Sequence, residues 1–168
     1  MNPNYVARVK EEIDKLLQVG FIQPVKKATW LSPIVFVPKK NGKIRVCVDY
    51  RKLNAAIVTD AFPLPFTNGF LDVVAGHEVY NVLDGFSGYN QIRMHPDEQE
   101  KTVFVINSGV FVAVVMMFGL KTAPTTFQQI IMEIFREFIP VFMQVLLDNF
   151  LVYSRQGEHL DHLRLFLE

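Results

Sequence analysis

Apolar and polar positions alternate in two distinct rhythms along this chain. Val6, Val9, Ile13, Leu16 and Leu17 recur at helical spacing behind Asn2-Pro3, and Gly20 supplies a stop, which predicts an amphipathic N-terminal helix. Pro33–Pro38 and Lys43–Val48 are rich in β-branched residues and are joined by Lys39-Lys40-Asn41-Gly42, so they predict a hairpin with lysines at its tip. Phe62-Pro63-Leu64-Pro65-Phe66 predicts an extended connector, because its prolines forbid a helix. Glu78–Leu83 reads as a strand ending at Asp84, and Thr102–Ile106 with Val110–Val115 as a second hairpin around Asn107-Ser108-Gly109. Phe127, Ile130, Ile131, Ile134, Phe135 and Phe138 form a helical stripe that Pro140 ends, and Leu160, Leu163, Phe166 and Leu167 predict a last helix. Between these two helices, Val145–Tyr153 is apolar except for Asp148-Asn149, which reads as two short strands around an Asp-Asn turn.

Composition narrows the class. With 168 residues, half of them apolar and 15 of them Phe, the chain can bury a sizeable core. No apolar run is long enough to cross a bilayer and the start lacks a signal pattern, so an intracellular protein, cytoplasmic or nuclear and not secreted, is expected. Cys47 is the single cysteine, which excludes an internal disulfide and a cysteine-based zinc site. His159 and His162 could share one helix face, which suits a solvated surface better than a metal site.

The formal net charge of zero conceals a division. Residues 1–54 hold 11 Lys/Arg against 4 Asp/Glu, and residues 55–168 hold 6 against 13. A basic lobe suits phosphates and an acidic one suits cations. Arg45, on the opposite strand face from Ile44 and Val46, is placed to meet a phosphate or to stay solvated. Asp84, beside Gly85 and Gly88, and Asp148 each suit an ordinary turn. Antiparallel pairing could also set the two side by side, and two such carboxylates repel unless a cation lies between them. Oxygen donors favour Mg2+ or Mn2+ over zinc, and with a basic lobe the chemistry suggested is metal-assisted phosphoryl or nucleotidyl transfer.

Six ordered blocks then resemble one family: Leu31-Ser32-Pro33; Val37–Lys43; Arg45–Asn54; Phe62-Pro63-Leu64-Pro65; Leu83–Ile92; and Phe118-Gly119-Leu120 with Ala123-Pro124 and Phe127-Gln128. The chain resembles the reverse transcriptase (RNA-directed DNA polymerase) domain of a gypsy-type LTR retrotransposon Pol polyprotein. The family's Tyr/Phe-x-Asp-Asp hairpin falls on Leu146-Leu147-Asp148-Asn149.

The resemblance implies an α+β right-hand polymerase palm, an antiparallel sheet backed by helices, with a basic fingers subdomain. Residues 1–60 would be the fingers and 61–168 a palm incomplete at its C-terminus, truncated before the thumb. It implies two-metal catalysis by Asp84, Asp148 and Asn149, with Asp84, Gly85 and Asp148 holding Mg2+ (or Mn2+). Lys39, Lys40, Arg45, Tyr89, Phe118 and Gly119 would bind the nucleotide. The implied partners are an RNA or DNA template with its primer, deoxynucleoside triphosphates and the thumb and RNase H of a parent polyprotein; no membrane is implied.

Asn149 stands where the family has a second Asp, Leu146 where it has an aromatic, and Met117 where a proline is common. Losing one carboxylate weakens divalent-metal binding. The alternative function is therefore a catalytically inactive retroelement remnant that only binds nucleic acid.

Overall fold

The computed structural model describes residues 3–38, 44–59, 62–64, 72–73 and 75–168. Two compact units account for the chain, one of residues 1–59 with 89–123 and one of residues 60–88 with 124–168.

In the first unit, helix α1 (Pro3–Gln18) is followed by strands β1 (Ile22–Pro24), β2 (Ser32–Pro38) and β3 (Ile44–Val48), and by helix α2 (Arg51–Ala56). After a 3-10 turn at Gly88–Gln91 come a short helix α3 (Pro96–Gln99), a 3-10 turn at Glu100–Thr102, and strands β5 (Phe104–Ile106) and β6 (Gly109–Ala113). The intervening strand β4 (Val79–Asp84) belongs to the second unit. Gly20 ends α1 as its sequence suggests. With φ at 75°, it lets its own N–H reach the Leu17 carbonyl and the Phe21 N–H reach the Leu16 carbonyl. This pair of bonds is a Schellman closure, in which glycine takes the left-handed conformation without a Cβ clash.

The sheet order is β1-β6-β5-β2-β3. Only β2 and β5 run parallel, with Ser32 opposite Phe104; every other pair is antiparallel. Val9, Ile13, Ile22, Phe104, Ile106 and Phe111 form the core, with Leu16 and Leu17 packed against it, so the apolar stripe of α1 from Val9 onward is interior packing. Each such side chain contributes roughly 1.5–3 kcal/mol when fully buried. Residues 89–123 join this unit because β5 and β6 fill the sheet between β2 and β1. This division by compactness is drawn differently from the fingers (1–60) and palm (61–168) that the family resemblance implies, since local pattern carries no information about which distant strands pair.

In the second unit, β4 (Val79–Asp84), β7 (Met143–Leu146) and β8 (Asn149–Ser154) form an antiparallel sheet in the order β4-β8-β7. Helices α4 (Ala123–Ile134) and α5 (His159–Leu167) complete the elements. Phe142, Met143, Val145, Phe150 and Val152 make the core, with Ile131 from α4 and Leu163 and Phe166 from α5 packed on it. The Phe135 ring lies 5.7 Å from Phe150 and 5.5 Å from Phe166, contacts that add to the area they bury.

Two sequence expectations change here. Helix α4 stops at Ile134, ahead of Pro140, and turns carry Phe135 and Phe138 into the core. His159 is buried, not solvated: its Nδ1 lies 2.7 Å from Ser154 Oγ and its Nε2 lies 2.6 Å from Asn81 Oδ1, which ties α5 to β8 and β4. His162 stacks on Phe142 with ring centroids 4.3 Å apart. The His159 imidazole, with partners at both nitrogens, is tolerated in the interior, whereas His162 is held by its stacking on Phe142.

At the start of α2, Asp49 Oδ1 accepts from the Arg51 N–H at 3.1 Å, and the Arg51 guanidinium donates to both carboxylate oxygens. These side-chain bonds first, and the backbone bond second, hold the Asp49 carboxyl at about 2. A carboxyl lowered on folding stabilises the native state above its unfolded value and loses that contribution as pH falls through the folded value. The stability of the wild type should therefore decline between about pH 4 and pH 2, and Asp49→Asn should flatten that part of a urea-unfolding series. Salt should shrink the difference, since Arg51 is exposed.

Candidate active site

In the second unit, the ends of β4 and β8 meet. Asp84 pairs opposite Asn149 in a register that runs back to Val79 opposite Ser154. Directly opposed residues share a sheet face, so Asp84 and Asn149 lie side by side, both exposed. Asp148, half-buried, precedes Asn149 in the turn from β7. The Asn149 amide donates weakly to the Asp148 carboxylate at 3.4 Å.

The turn differs from the sequence reading. Leu146 and Asn149 are the closing pair, so the turn residues are Leu147 and Asp148, and Asn149 begins β8. Leu147 has φ at 54°, a conformation that a bulky side chain avoids. Turn propensity favours Asp-Asn, but the six-residue pairing of β8 with β4 pulls Asn149 into the strand.

Gly85 closes the other side. Its N–H donates to the Asp148 carbonyl at 2.7 Å, and its own carbonyl, an oxygen with two lone pairs, accepts from the Gly88 N–H at 3.2 Å. A Cβ on Gly85 would lie 2.9 Å from Phe150 Cε2 and 3.3 Å from the Asp148 carbonyl oxygen. Glycine is therefore required for β4 and the hairpin to approach this closely.

Gln128 on α4 carries no assigned role in the sequence reading. It is fully buried, at 0% exposure, and its side chain bonds the hairpin backbone at Val145 and Leu147. The signal was available: Gln128 falls in register with Ile131 and Phe135, and a polar residue on an apolar stripe needs a partner.

In the first unit, Arg45 is exposed on β3 opposite Val37, as its strand alternation predicted. Arg45, Cys47, Asn90 and Phe118 line a cavity of ≈ 420 Å³. Tyr89 is buried and meets Phe118 edge-on, with ring centroids 4.8 Å apart, while Phe118 itself is 63% exposed. Gly119 has φ at 99°, and its carbonyl accepts from Asn54 Nδ2 at 2.7 Å. The Asn54 Oδ1 takes the Lys121 N–H at 2.8 Å, so one side chain fixes both ends of this loop. Lys39 and Lys40 lie outside the described residues. Among the described residues, no group of three or more His, Cys, Asp or Glu side chains is placed to hold a metal ion. No helix among them is long and apolar enough to cross a membrane.

Residues 37–168 match the family described as "Reverse transcriptase (RNA-dependent DNA polymerase)". The chain belongs to the reverse transcriptase family. This reverse transcriptase domain is 36% identical over 98% of its length to the retrovirus-related Pol polyprotein from transposon opus of Drosophila melanogaster. It is 33% identical over 96% of its length to the transposon Tf2-3 polyprotein of Schizosaccharomyces pombe. It spans 17% of the first relative and 12% of the second.

Solved structures agree on the fold. The native prototype foamy virus protease-reverse transcriptase matches 98% of the chain with a TM-score of 0.85 and 25% identity, over 22% of that protein. The foamy viral enzyme in complex with an RNA/DNA hybrid matches 99% with a TM-score of 0.87 and 22% identity, again over 22%. The α+β, palm-like architecture expected from the sequence is thus the observed one.

Replacing Gly85 with Ala should cost about 1–3 kcal/mol, because the Phe150 ring it would strike is itself held in the core. Urea unfolding of the variant against the wild type measures this directly.

Proposed function

We propose that this reverse transcriptase domain performs template-directed nucleotidyl transfer, adding deoxynucleotides to a primer on an RNA or DNA template. The observation that carries the reading is the register that sets Asp84 opposite Asn149 with Asp148 one residue away. The two aspartates thus come from segments far apart in sequence, and the Gly85 carbonyl follows Asp84 directly in the chain.

The donor chemistry fits a hard divalent cation. Asp84, Asp148, the Asn149 amide oxygen and the Gly85 carbonyl are all oxygen donors, the set that suits Mg2+ or Mn2+. When bound, such ions supply Lewis-acid activation of the primer 3′-hydroxyl and charge to stabilise the departing pyrophosphate. Asp84 and Asp148 would hold the ions. Arg45, with Lys39 or Lys40, would pair with the triphosphate, a role that suits a guanidinium carried on a strand. The ring of Tyr89, propped edge-on by Phe118, would form the wall against which the sugar rests and so disfavour a ribose 2′-hydroxyl. Phe118 and Gly119 would contribute to the floor under the nucleotide.

Asn149 makes the site weaker in charge than three carboxylates would be. Its amide donates to Asp148 where a carboxylate would repel it, so the hairpin tip is electrostatically stable without a cation. That observation favours, as a second reading, a domain that binds nucleic acid through its basic residues without turning over.

Primer extension on an RNA template with Mg2+ or Mn2+ separates the two. Asn149→Asp should extend faster than the wild type, and Asp84→Asn should lower extension by about 10²-fold or more. Absence of extension by both the wild type and Asn149→Asp would overturn the polymerase reading. In filter binding across a salt series, Arg45→Ala should lower the log-log salt slope by about 1, the signature of one lost phosphate contact.

A further inference from the structure

A fully buried glutamine amide needs a partner for its oxygen and for its nitrogen, and Gln128 finds both in an unusual place. Its Oε1 accepts from the Leu147 N–H at 2.7 Å and its Nε2 donates to the Val145 carbonyl at 3.1 Å. Strand β7 is an edge of the sheet, and Leu146 pairs with Asn149 on its inner side. Residues 145 and 147 therefore turn their N–H and carbonyl groups outward. The Gln128 amide pairs with that outer edge as a one-residue strand would, ending at the residue where the turn begins.

The residue it grips is the strained one. Leu147 is held at a positive φ that leucine avoids, and Asp148 follows it directly, anchored on its other side by the Gly85 N–H. We propose that Gln128 is a positioning residue for the divalent-metal site. By holding the Leu147 N–H it fixes the turn conformation that presents the Asp148 carboxylate beside Asp84. The inference rests on the reading of Asp84 and Asp148 as metal ligands.

Mn2+ titration of the full chain, read as paramagnetic broadening of the backbone amides of Asp84, Gly85, Asp148 and Asn149, tests it alongside thermal unfolding. Gln128→Met keeps the length and apolar packing of the side chain but loses both bonds. It should fold and bind Mn2+ about 10–100-fold more weakly, the usual effect of removing a group that orients a metal ligand. Adding Leu147→Gly should recover most of that loss, because glycine takes the positive φ unaided.

Equal Mn2+ affinity in the wild type and Gln128→Met would overturn the positioning role, and so would a loss that Leu147→Gly leaves unchanged. Should Gln128→Met fail to fold, Gln128→Leu serves in its place. It too is apolar and removes both the acceptor for the Leu147 N–H and the donor to the Val145 carbonyl, so the same weakening and the same rescue are expected. A wild type without saturable broadening would defeat the metal reading itself, a result distinct from one in which wild type and variant bind alike.

Discussion

Strand β8 is the constraint on which the candidate site depends. It is paired on both edges, with six residues of β4 on one side and four of β7 on the other. Its Val152 is completely buried against the helices. Because side chains alternate across a sheet, a one-residue slip of β4 would carry Asp84 to the opposite face and push Leu83 out of the core. Hydrophobic burial along β4 and β8 thus sets the register, and the register sets where the carboxylates stand. The site inherits its geometry from residues that take no part in its chemistry.

Most local structure was legible in the sequence. The stop at Gly20 and the strands β2 and β3 follow from short-range rules and are present where those rules put them, while α4 begins as its stripe predicts but ends at Ile134. Three features escaped such rules because distant partners decide them. Leucine is a poor residue for a positive φ, yet Leu147 takes one, since pairing with β4 draws Asn149 into the strand. His159 lies at a helix position that a sequence cannot distinguish from a solvated one, but Ser154 and Asn81 satisfy its ring in the interior. Residues 89–123 belong with the N-terminal unit because β5 pairs with β2 in parallel. The site was legible only in part: Asp84 and Asp148 were visible as turn residues, and their conjunction came from the six blocks that resemble reverse transcriptases.

Family membership and chemical competence are separate properties here. The fold needs the apolar positions of β4, β7 and β8, whereas catalysis needs charge at their ends. Asn149 can be exchanged for Asp without touching the core, since it is exposed at the first position of β8. A copy of the element could lose activity at this residue and still fold. The same exposure makes the change reversible in a single step.

The alternation of the two units along the chain has a consequence for synthesis. Strand β4 is complete once Asp84 has been made, but its partner β8 does not begin until Asn149, and the intervening residues 89–123 go to the other unit. While the ribosome works through that stretch, the edge of β4 that pairs with β8 lacks its ladder, and Tyr80 and Val82 stay exposed even in the finished fold. Nascent chains of this topology must hold an apolar strand in waiting, which slows folding and invites pairing with the wrong chain.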